Sequence, residues 1–216
     1  MSTATNTAWL ERLVHDLRGP LAPLQTAIYL LGRDDLDAAK RTELLAMLDR
    51  QTRRLSAMLE ELDDWTRIPR LATPVRGERC DLALLLEYAL AAANMAGTPV
   101  EGDSALVEVK GDQQRLTQLL RSLLGHASRD GCLPQVVLSN DAHCARVEVR
   151  KAGGAADGAA LAKLFDQPET SPYDEGLGLR MMLARVIARA HGGELTAQVE
   201  GGGVVMRLEL PLAPSD

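Results

Sequence analysis

Leucine and isoleucine recur every three or four residues along the first 31 positions, which is the period of one face of an α-helix. The recurring positions are Leu10, Leu13, Leu17, Leu21, Leu24, Ile28 and Leu31. Gly32 follows the series, and glycine is common immediately after the end of a helix. The pattern predicts an amphipathic helix over residues 7–31.

A second apolar series follows a short polar loop. Its members are Leu48, Thr52, Leu55, Leu59 and Leu62, at alternating steps of four and three residues. This heptad spacing is typical of packed helices and predicts a helix over residues 37–66. Two long helices joined by a short loop form an antiparallel hairpin. Because one hairpin cannot bury the apolar faces of both helices, we expect two copies to pair into a homodimeric four-helix bundle.

The pattern changes after residue 68. Residues 69–80 hold two prolines and mixed charge, so we interpret them as a linker. Helices are then predicted over 81–96, 112–129 and 177–191, and strands over 106–109, 135–139, 146–150, 194–200 and 204–210. The sequence therefore predicts an α+β protein, with a helical hairpin domain at 1–68. Residues 81–216 form a second domain, with one layer of helices on a mostly antiparallel sheet.

Composition narrows the classes of function. The chain has 216 residues and a net charge of −6, which argues against a general nucleic-acid-binding surface. The most apolar run, residues 82–97, falls short of the ~20 residues that span a bilayer. The three cysteines form no C-x-x-C pair, which is typical of reduced thiols. We expect a cytoplasmic protein that binds neither membrane nor nucleic acid.

Several segments resemble sensor histidine kinases. The run His15-Asp16-Leu17-Arg18, followed by Pro20-Leu21, resembles the phosphoacceptor box of that family. The stretch "RQTRRLSAMLEELDDWTRI" resembles its second dimerisation helix, and "GDQQRLTQLLRSLLGHASRDG" resembles the helix that carries its metal-binding asparagine. The stretch "GLGLRMMLARVIARAHGGELTAQVEGGGVVMRLELPL" resembles its last glycine box, helix and hairpin. The resemblance implies a phosphotransfer hairpin followed by an α/β sandwich of Bergerat (GHKL) type.

The resemblance makes His15 the phosphoacceptor. Pro20 lacks an N–H group, so we expect it to loosen the helix one turn from His15 and expose the imidazole. A neutral ring keeps a lone pair on one nitrogen, and Asp16 can orient the ring or accept its other proton. Arg18 lies three residues on, on the same helix face, where its guanidinium could bind a phosphoryl group.

The ATP site that the resemblance implies departs from the family pattern. Ser122 and His126 stand at the asparagine positions of the matching helix, although Mg²⁺ prefers oxygen ligands to imidazole. Lys151 stands where an aspartate would accept a hydrogen bond from the adenine amino group, and lysine can only donate. The degenerate positions are Ser122, His126, Lys151, Gly153, Gly176 and Gly178.

The last glycine box also carries residues that disfavour phosphate binding. Backbone N–H groups at Gly176 and Gly178 could hold an anion, but Asp174 and Glu175 add two negative charges beside them. Tight packing of the last helix explains these glycines better than phosphate binding. The histidines and cysteines show no spacing typical of a zinc site, so we expect no bound metal. Because the ATP-site positions are substituted, we also expect that ATP binding has been lost.

These observations favour a histidine phosphotransferase of two-component signalling. Such a protein passes phosphoryl groups between His15 and aspartates of response-regulator receiver domains, which would supply their own Mg²⁺. Two alternatives remain open: a divergent active histidine autokinase, and a non-enzymatic pseudokinase that binds and regulates a kinase or response regulator. The hairpin could also pair with the hairpin of another histidine kinase.

Overall fold

The computed structural model describes residues 3–68, 77–102, 107–129, 131–153, 158–169, 172 and 176–214. The chain divides into two compact units. The first comprises Met1–Asp63 with Asp174–Leu177, and the second comprises Asp64–Tyr173 with Gly178–Asp216. No helix within the described ranges is both long and apolar enough to cross a membrane.

The first unit contains the predicted helical hairpin. Helix α1 spans Thr3–Leu31 and helix α2 spans Ala38–Thr66. Asp37 precedes α2, and its carboxylate accepts the backbone N–H of Lys40 at 2.7 Å. This contact satisfies one of the donors left free at a helix N-terminus. Buried side chains of the hairpin include Ala27, Leu44 and Met58.

Large apolar side chains of both helices are also exposed. On α1 they include Val14, Leu21 and Ile28, which are 44%, 41% and 64% exposed and lie seven residues apart. On α2 they are Leu45 and Leu59, which are separated by two heptads. Residues seven apart share one side of a helix. Each helix of the single hairpin therefore presents an uncovered apolar stripe, which we call the heptad stripe.

The second unit combines three helices of eleven residues or more with two sheets. Its elements are β1 (Glu78–Asp81), α3 (Leu82–Ala92), β2 (Val100–Gly102), β3 (Glu108–Gly111), α4 (Gln113–Ala127), β4 (Gln135–Asn140), β5 (Cys144–Lys151), α5 (Gly158–Lys163), α6 (Arg180–Ala190), β6 (Glu194–Glu200) and β7 (Gly203–Pro211). The helices predicted near 81, 112 and 177 and the strands predicted from residue 135 onward are thus confirmed.

The main sheet has five strands in the order β2-β4-β5-β7-β6. Among the described residues, β2 and β4 pair in parallel, and the other neighbouring strands pair antiparallel. The turn between β6 and β7 uses Gly201 and Gly202, both at positive φ, which suits a tight hairpin. Strands β1 and β3 form a separate two-stranded antiparallel sheet. The sheet is therefore mixed, with antiparallel pairing predominant as predicted.

Helix α4 packs between α3 and α6 and against β5. Side chains along one side of α4 are almost completely buried: Leu116, Leu119, Leu120, Leu123 and Leu124. They meet Val136, Leu138, Val147, Val149, Met206 and Leu208 in one apolar core. Asp81 caps α3 by accepting the backbone N–H groups of Ala83 and Leu84, and Asp112 caps α4 by accepting the backbone N–H of Arg115.

Four elements differ from the sequence prediction. The predicted linker 69–80 is too long, because Glu78–Asp81 pairs with β3 as strand β1. Residues 69–76 of that linker lie outside the described residues. Strand β2 and helix α5 were not predicted, because three and six residues are too few to show a period. The strand predicted at 106–109 lies at Glu108–Gly111, and residue 106 is outside the described residues.

The outer face of the main sheet carries paired charges. Glu148 of β5 is buried and accepts hydrogen bonds from Arg150 and from Arg207, whose Nε lies 2.8 Å away. Burial disfavours the charged carboxylate, but the hydrogen bonds from Arg150 and Arg207 outweigh burial and lower the pKa of Glu148. On the same face Arg146 pairs with Glu209 at 2.9 Å. These pairs keep one side of the sheet polar.

Candidate functional site

Helix α1 holds His15 at its surface. The side chain is 87% exposed, and its Nδ1 lies 3.2 Å from Oδ1 of Asp16. An ionised carboxylate only accepts hydrogen bonds, so Nδ1 is the donor in this contact. In a neutral imidazole with its proton on Nδ1, the lone pair is on Nε2. The predicted accessibility of His15 and its contact with Asp16 are both present.

The second oxygen of Asp16 faces another side chain. Its Oδ2 lies 3.4 Å from Nε of Arg12, four residues earlier and therefore on the same side of the helix. Arg12 was not among the residues singled out from the sequence, although the spacing of four residues is visible there. Arg18 is exposed one turn after His15, and its contact with a phosphoryl group remains a prediction.

The structure corrects the expectation for Pro20. Helix α1 continues through Pro20 and Pro23 to Leu31 instead of loosening next to His15. Pro20 itself is buried, whereas His15 and Gly19 are exposed. His15 is accessible because it lies on an outward face of a continuous helix, not because the helix breaks.

The predicted degenerate residues of the second unit lie on several different elements. Ser122 is buried on α4, and its hydroxyl donates to the carbonyl oxygen of Gln118 at 3.0 Å. This bond runs back along the same helix, so the hydroxyl hydrogen is already used. Ser122 therefore has a structural contact where the resemblance would place a side chain of the nucleotide site.

His126 lies one turn further along α4 and contacts an acidic residue. Its Nδ1 is 3.1 Å from Oε1 of Glu169, and the two side chains are only 15% and 9% exposed. The backbone N–H of Glu169 donates to the carbonyl oxygen of Gly178 at 3.0 Å. The structure thus brings His126 and Gly178 to the same residue, Glu169. Sequence reasoning missed Glu169 because no local pattern marks it.

Lys151 ends strand β5, and Gly153 follows it by two residues, where the resemblance implies the aspartate of the adenine site. Lys151 is the last residue of β5 and is half-buried, and its carbonyl oxygen lies close to Gly203 of β7. Gly153 has a φ of +74°, and no atom of the described residues lies within 4 Å of the position of its β-carbon. Gly176 is buried. Asp174 and Glu175 lie outside the described residues.

The remaining histidines and cysteines give no metal centre. Within the described part of the chain, no three His, Cys, Asp or Glu side chains come together as ligands. His191 is buried at the C-cap of α6, where Nδ1 lies 2.7 Å from the carbonyl oxygen of Ile187. Its Nε2 accepts the backbone N–H of Asp112 at 3.0 Å, so both ring nitrogens have protein partners. Cys80 is buried, and burial raises the pKa of its thiol.

Family models match both parts of the chain. The model described as "His Kinase A (phospho-acceptor) domain" matches residues 5–70. The model described as "Histidine kinase-, DNA gyrase B-, and HSP90-like ATPase" matches residues 111–214. The two matches follow one another in the order of the hairpin and the α/β unit. The chain belongs to the sensor histidine kinase family.

The chain is similar to curated sensor proteins. This histidine kinase family member is 29% identical to the sensor histidine kinase TrcS of Mycobacterium tuberculosis, over 92% of this chain and 42% of TrcS. It is 27% identical to the probable sensor protein PcoS of Escherichia coli, over 92% of this chain and 45% of PcoS. The chain thus spans less than half the length of these relatives.

Solved histidine kinase structures share the fold. The histidine kinase AdeS of Acinetobacter baumannii has a TM-score of 0.67 and 20% identity, over 93% of this chain and 98% of AdeS. The histidine kinase ThkA, solved in complex with the response regulator protein TrrA, has a TM-score of 0.71 and 19% identity. That match covers 95% of this chain and 61% of ThkA. The predicted α+β class and Bergerat-type second domain are confirmed.

Proposed function

We propose that the protein relays phosphoryl groups between His15 and response-regulator aspartates, without binding ATP. The observation that carries the proposal is the exposed imidazole of His15, with Nδ1 engaged by Asp16 and Nε2 free. A nucleophilic ring nitrogen needs an available lone pair and an open approach, and Nε2 has both. Membership of the sensor histidine kinase family supports phosphoryl chemistry at this position.

The transfer uses few protein groups. The Nε2 lone pair attacks the phosphorus of a receiver's aspartyl phosphate, the P–O bond breaks, and the receiver aspartate leaves as a carboxylate with the bonding electrons. The proton on Nδ1 stays in its hydrogen bond to Asp16, whose negative charge offsets the positive charge of the phosphorylated ring. The reverse step returns the phosphoryl group to another receiver. Receiver domains would supply Mg²⁺.

Four features support the loss of ATP binding. The Ser122 hydroxyl is used within α4, and His126 contacts Glu169 instead of presenting an oxygen ligand. Glu169 also brings a carboxylate to the glycine turn where the resemblance puts the phosphates, and like charges repel. Lys151 cannot accept from an adenine amino group. These residues do not fit Mg-ATP, so no step of the proposed reaction involves it.

Homodimer formation belongs to the same proposal. The heptad stripe exposes Val14, Leu21 and Ile28 on α1 and Leu45 and Leu59 on α2. A second hairpin with the same stripe would cover these side chains in a four-helix bundle. The complex of ThkA with TrrA supports a response regulator as the other partner, because ThkA shares the fold of this chain.

The proposal is tested by phosphoryl transfer from purified phosphorylated receiver domains. We expect label to appear on the wild-type chain and on a His143→Ala variant, but not on a His15→Ala variant. His143 is exposed, so its replacement controls for the loss of a histidine without changing the phosphoacceptor. The label should be acid-labile and base-stable, as phosphohistidine is.

The same variants separate the alternatives. An active autokinase would acquire label from labelled ATP in the wild type and not in His15→Ala, and that result would contradict the loss of ATP binding. A non-enzymatic regulator would show no label from either donor. Direct titration with Mg-ATP should give no saturable binding up to millimolar nucleotide.

A further inference from the structure

Arg12 lies one helical turn before Asp16, on the same side of α1. Its Nε is 3.4 Å from Oδ2 of Asp16, while the other oxygen, Oδ1, is 3.2 Å from Nδ1 of His15. The carboxylate thus bridges a guanidinium and an imidazole. The side chains of Arg12 and Asp16 are 37% and 27% exposed, which is much less than the 87% of His15.

We propose that Arg12 is a positioning residue for the phosphoacceptor, because it holds the Asp16 carboxylate on Nδ1 of His15. The inference rests on the proposed function, since it assigns a role in the chemistry of the same histidine. With Asp16 held in place, the proton stays on Nδ1 and Nε2 is the nitrogen that faces a receiver. The role of Arg12 is exerted through the Asp16 carboxylate.

Helix geometry explains why Asp16 needs such a partner. Adjacent residues of an α-helix point about 100° apart, so the side chains of His15 and Asp16 do not face each other by default. Residues four apart do lie over one another, so Arg12 meets Asp16 directly. A carboxylate bound through Oδ2 to Arg12 has lost much of its rotational freedom, and Oδ1 remains directed at Nδ1.

Helix stabilisation does not explain the pair as well. An acidic residue four positions before a basic one stabilises a helix more than the reverse order. Arg12 and Asp16 have the reverse order, so their contribution to helix stability is small. Their pairing is better explained by the position of the Asp16 carboxylate relative to His15.

Arginine suits this task chemically. A guanidinium has only donors and does not lose its proton in proteins, so it cannot take the Nδ1 proton from the imidazole. Asp16 can accept from both neighbours at once because a carboxylate has two oxygens. The arrangement therefore leaves one place for the ring proton, Nδ1, before and after the Nε2–P bond forms.

The test compares Arg12→Gln with Arg12→Lys. Gln has no charge, whereas Lys keeps the charge and its ammonium can reach Asp16. We would record long-range ¹H–¹⁵N spectra of ¹⁵N-histidine-labelled protein under mildly alkaline conditions and assign His15 from His15→Ala. We expect the wild type and Arg12→Lys to show a protonated Nδ1 and an unprotonated Nε2. In Arg12→Gln the two shifts should move toward each other, as in a ring that exchanges between tautomers.

Phosphotransfer gives the second readout. Arg12→Gln should accept phosphoryl groups about two- to fivefold more slowly, because a partly exposed ion pair is a weak constraint. Arg12→Lys should recover most of the rate, and receiver binding should be unchanged in both variants. Circular dichroism should show the wild-type helix content, which excludes a folding defect as the cause.

The outcomes separate this inference from the proposed function. An unchanged His15 spectrum in Arg12→Gln overturns the positioning role, even where His15 accepts phosphoryl groups normally. A changed spectrum supports the positioning role even if no receiver phosphorylates His15, in which case the proposed function fails alone. A loss of rate that Arg12→Lys does not recover also contradicts the inference.

Discussion

The backbone of Glu169 occupies the space into which a side chain at Gly178 would project. A β-carbon built on Gly178 would lie 2.4 Å from the carbonyl oxygen of Glu169 and 2.7 Å from its nitrogen. Gly178 also has a φ of +77°, where residues with a side chain are strained. Glycine at this position is therefore required by the close approach of two backbone segments, whether or not an anion binds nearby.

Replacement of Gly178 by alanine should be costly. The strain of positive φ and the overlap with Glu169 together predict a loss of about 2–5 kcal/mol in the free energy of unfolding. Gly153→Ala is the matched control, because Gly153 has a similar φ of +74° with open space around its β-carbon position among the described residues. It should cost only about 1–2 kcal/mol. Urea unfolding measures the free energy of unfolding of both variants. Equal losses in Gly178→Ala and Gly153→Ala would contradict the packing argument.

Stability should depend on the charge of Glu148. Its pKa is lowered in the folded state, so the unfolded chain binds a proton more readily. The stabilisation is therefore fully present above the ordinary pKa of 4.5 and is lost as the pH falls through the folded-state value. We expect Glu148→Gln to lower the free energy of unfolding by about 1–2 kcal/mol at neutral pH.

The difference between wild type and Glu148→Gln should shrink on acidification, as measured by urea unfolding at several pH values. Glu209→Gln serves as the control. Its pair with Arg146 is more exposed, with side chains 42% and 36% accessible, and should contribute less than about 1 kcal/mol. A Glu148→Gln effect that persists unchanged in acid would show that packing, not charge, is responsible.

Replacement of His191 by alanine should destabilise the second unit. The ring hydrogen bonds to Ile187 and Asp112 would be lost and a cavity would remain, at a cost of about 2–4 kcal/mol. His143→Ala, which removes an exposed ring, should change stability by less than about 0.5 kcal/mol. Thermal unfolding compares the two variants, and similar midpoints would contradict the structural role of His191.

Leu21→Glu should shift the dimer toward monomer. Leu21 is the middle residue of the heptad stripe on α1, and a charge there would be buried against the second hairpin at a cost of several kcal/mol. Thr26→Glu places the same charge about 140° around the helix and should leave the dimer intact. Sedimentation velocity distinguishes the two. A monomeric wild type would contradict the dimer itself.

Periodic segments were predictable because their pattern is repeated many times. Helix α1 shows seven apolar positions at helical spacing, and apolar and polar residues alternate over 145–150 in β5 and over 206–210 in β7. Strand β2 and helix α5 are three and six residues long, so neither repeats a period often enough to be recognised. Most of strand β1 lies within the predicted linker, because its pairing with β3 is nonlocal and two prolines precede it.

The surroundings of His15 and of His126 also differ in how far the sequence predicts them. The sequence predicted the exposure of His15 and its contact with Asp16 from one short segment, although the predicted cause of the exposure, a loosened helix at Pro20, was wrong. The contact of His126 with Glu169 joins residues 43 positions apart, and only the folded chain places them together. The continuity of α1 through Pro20 was also not predictable, because proline is usually unfavourable in a helix interior.

The hydrogen bond from Asp112 to His191 joins positions 79 residues apart. Its acceptor lies just after α6, whereas its donor immediately precedes α4. During translation, α4 therefore emerges from the ribosome well before the side chain that completes its N-terminus. Native packing of this module must wait until residue 191 has been synthesised, and nascent chains that end before it will leave the leucine-rich side of α4 without its partners.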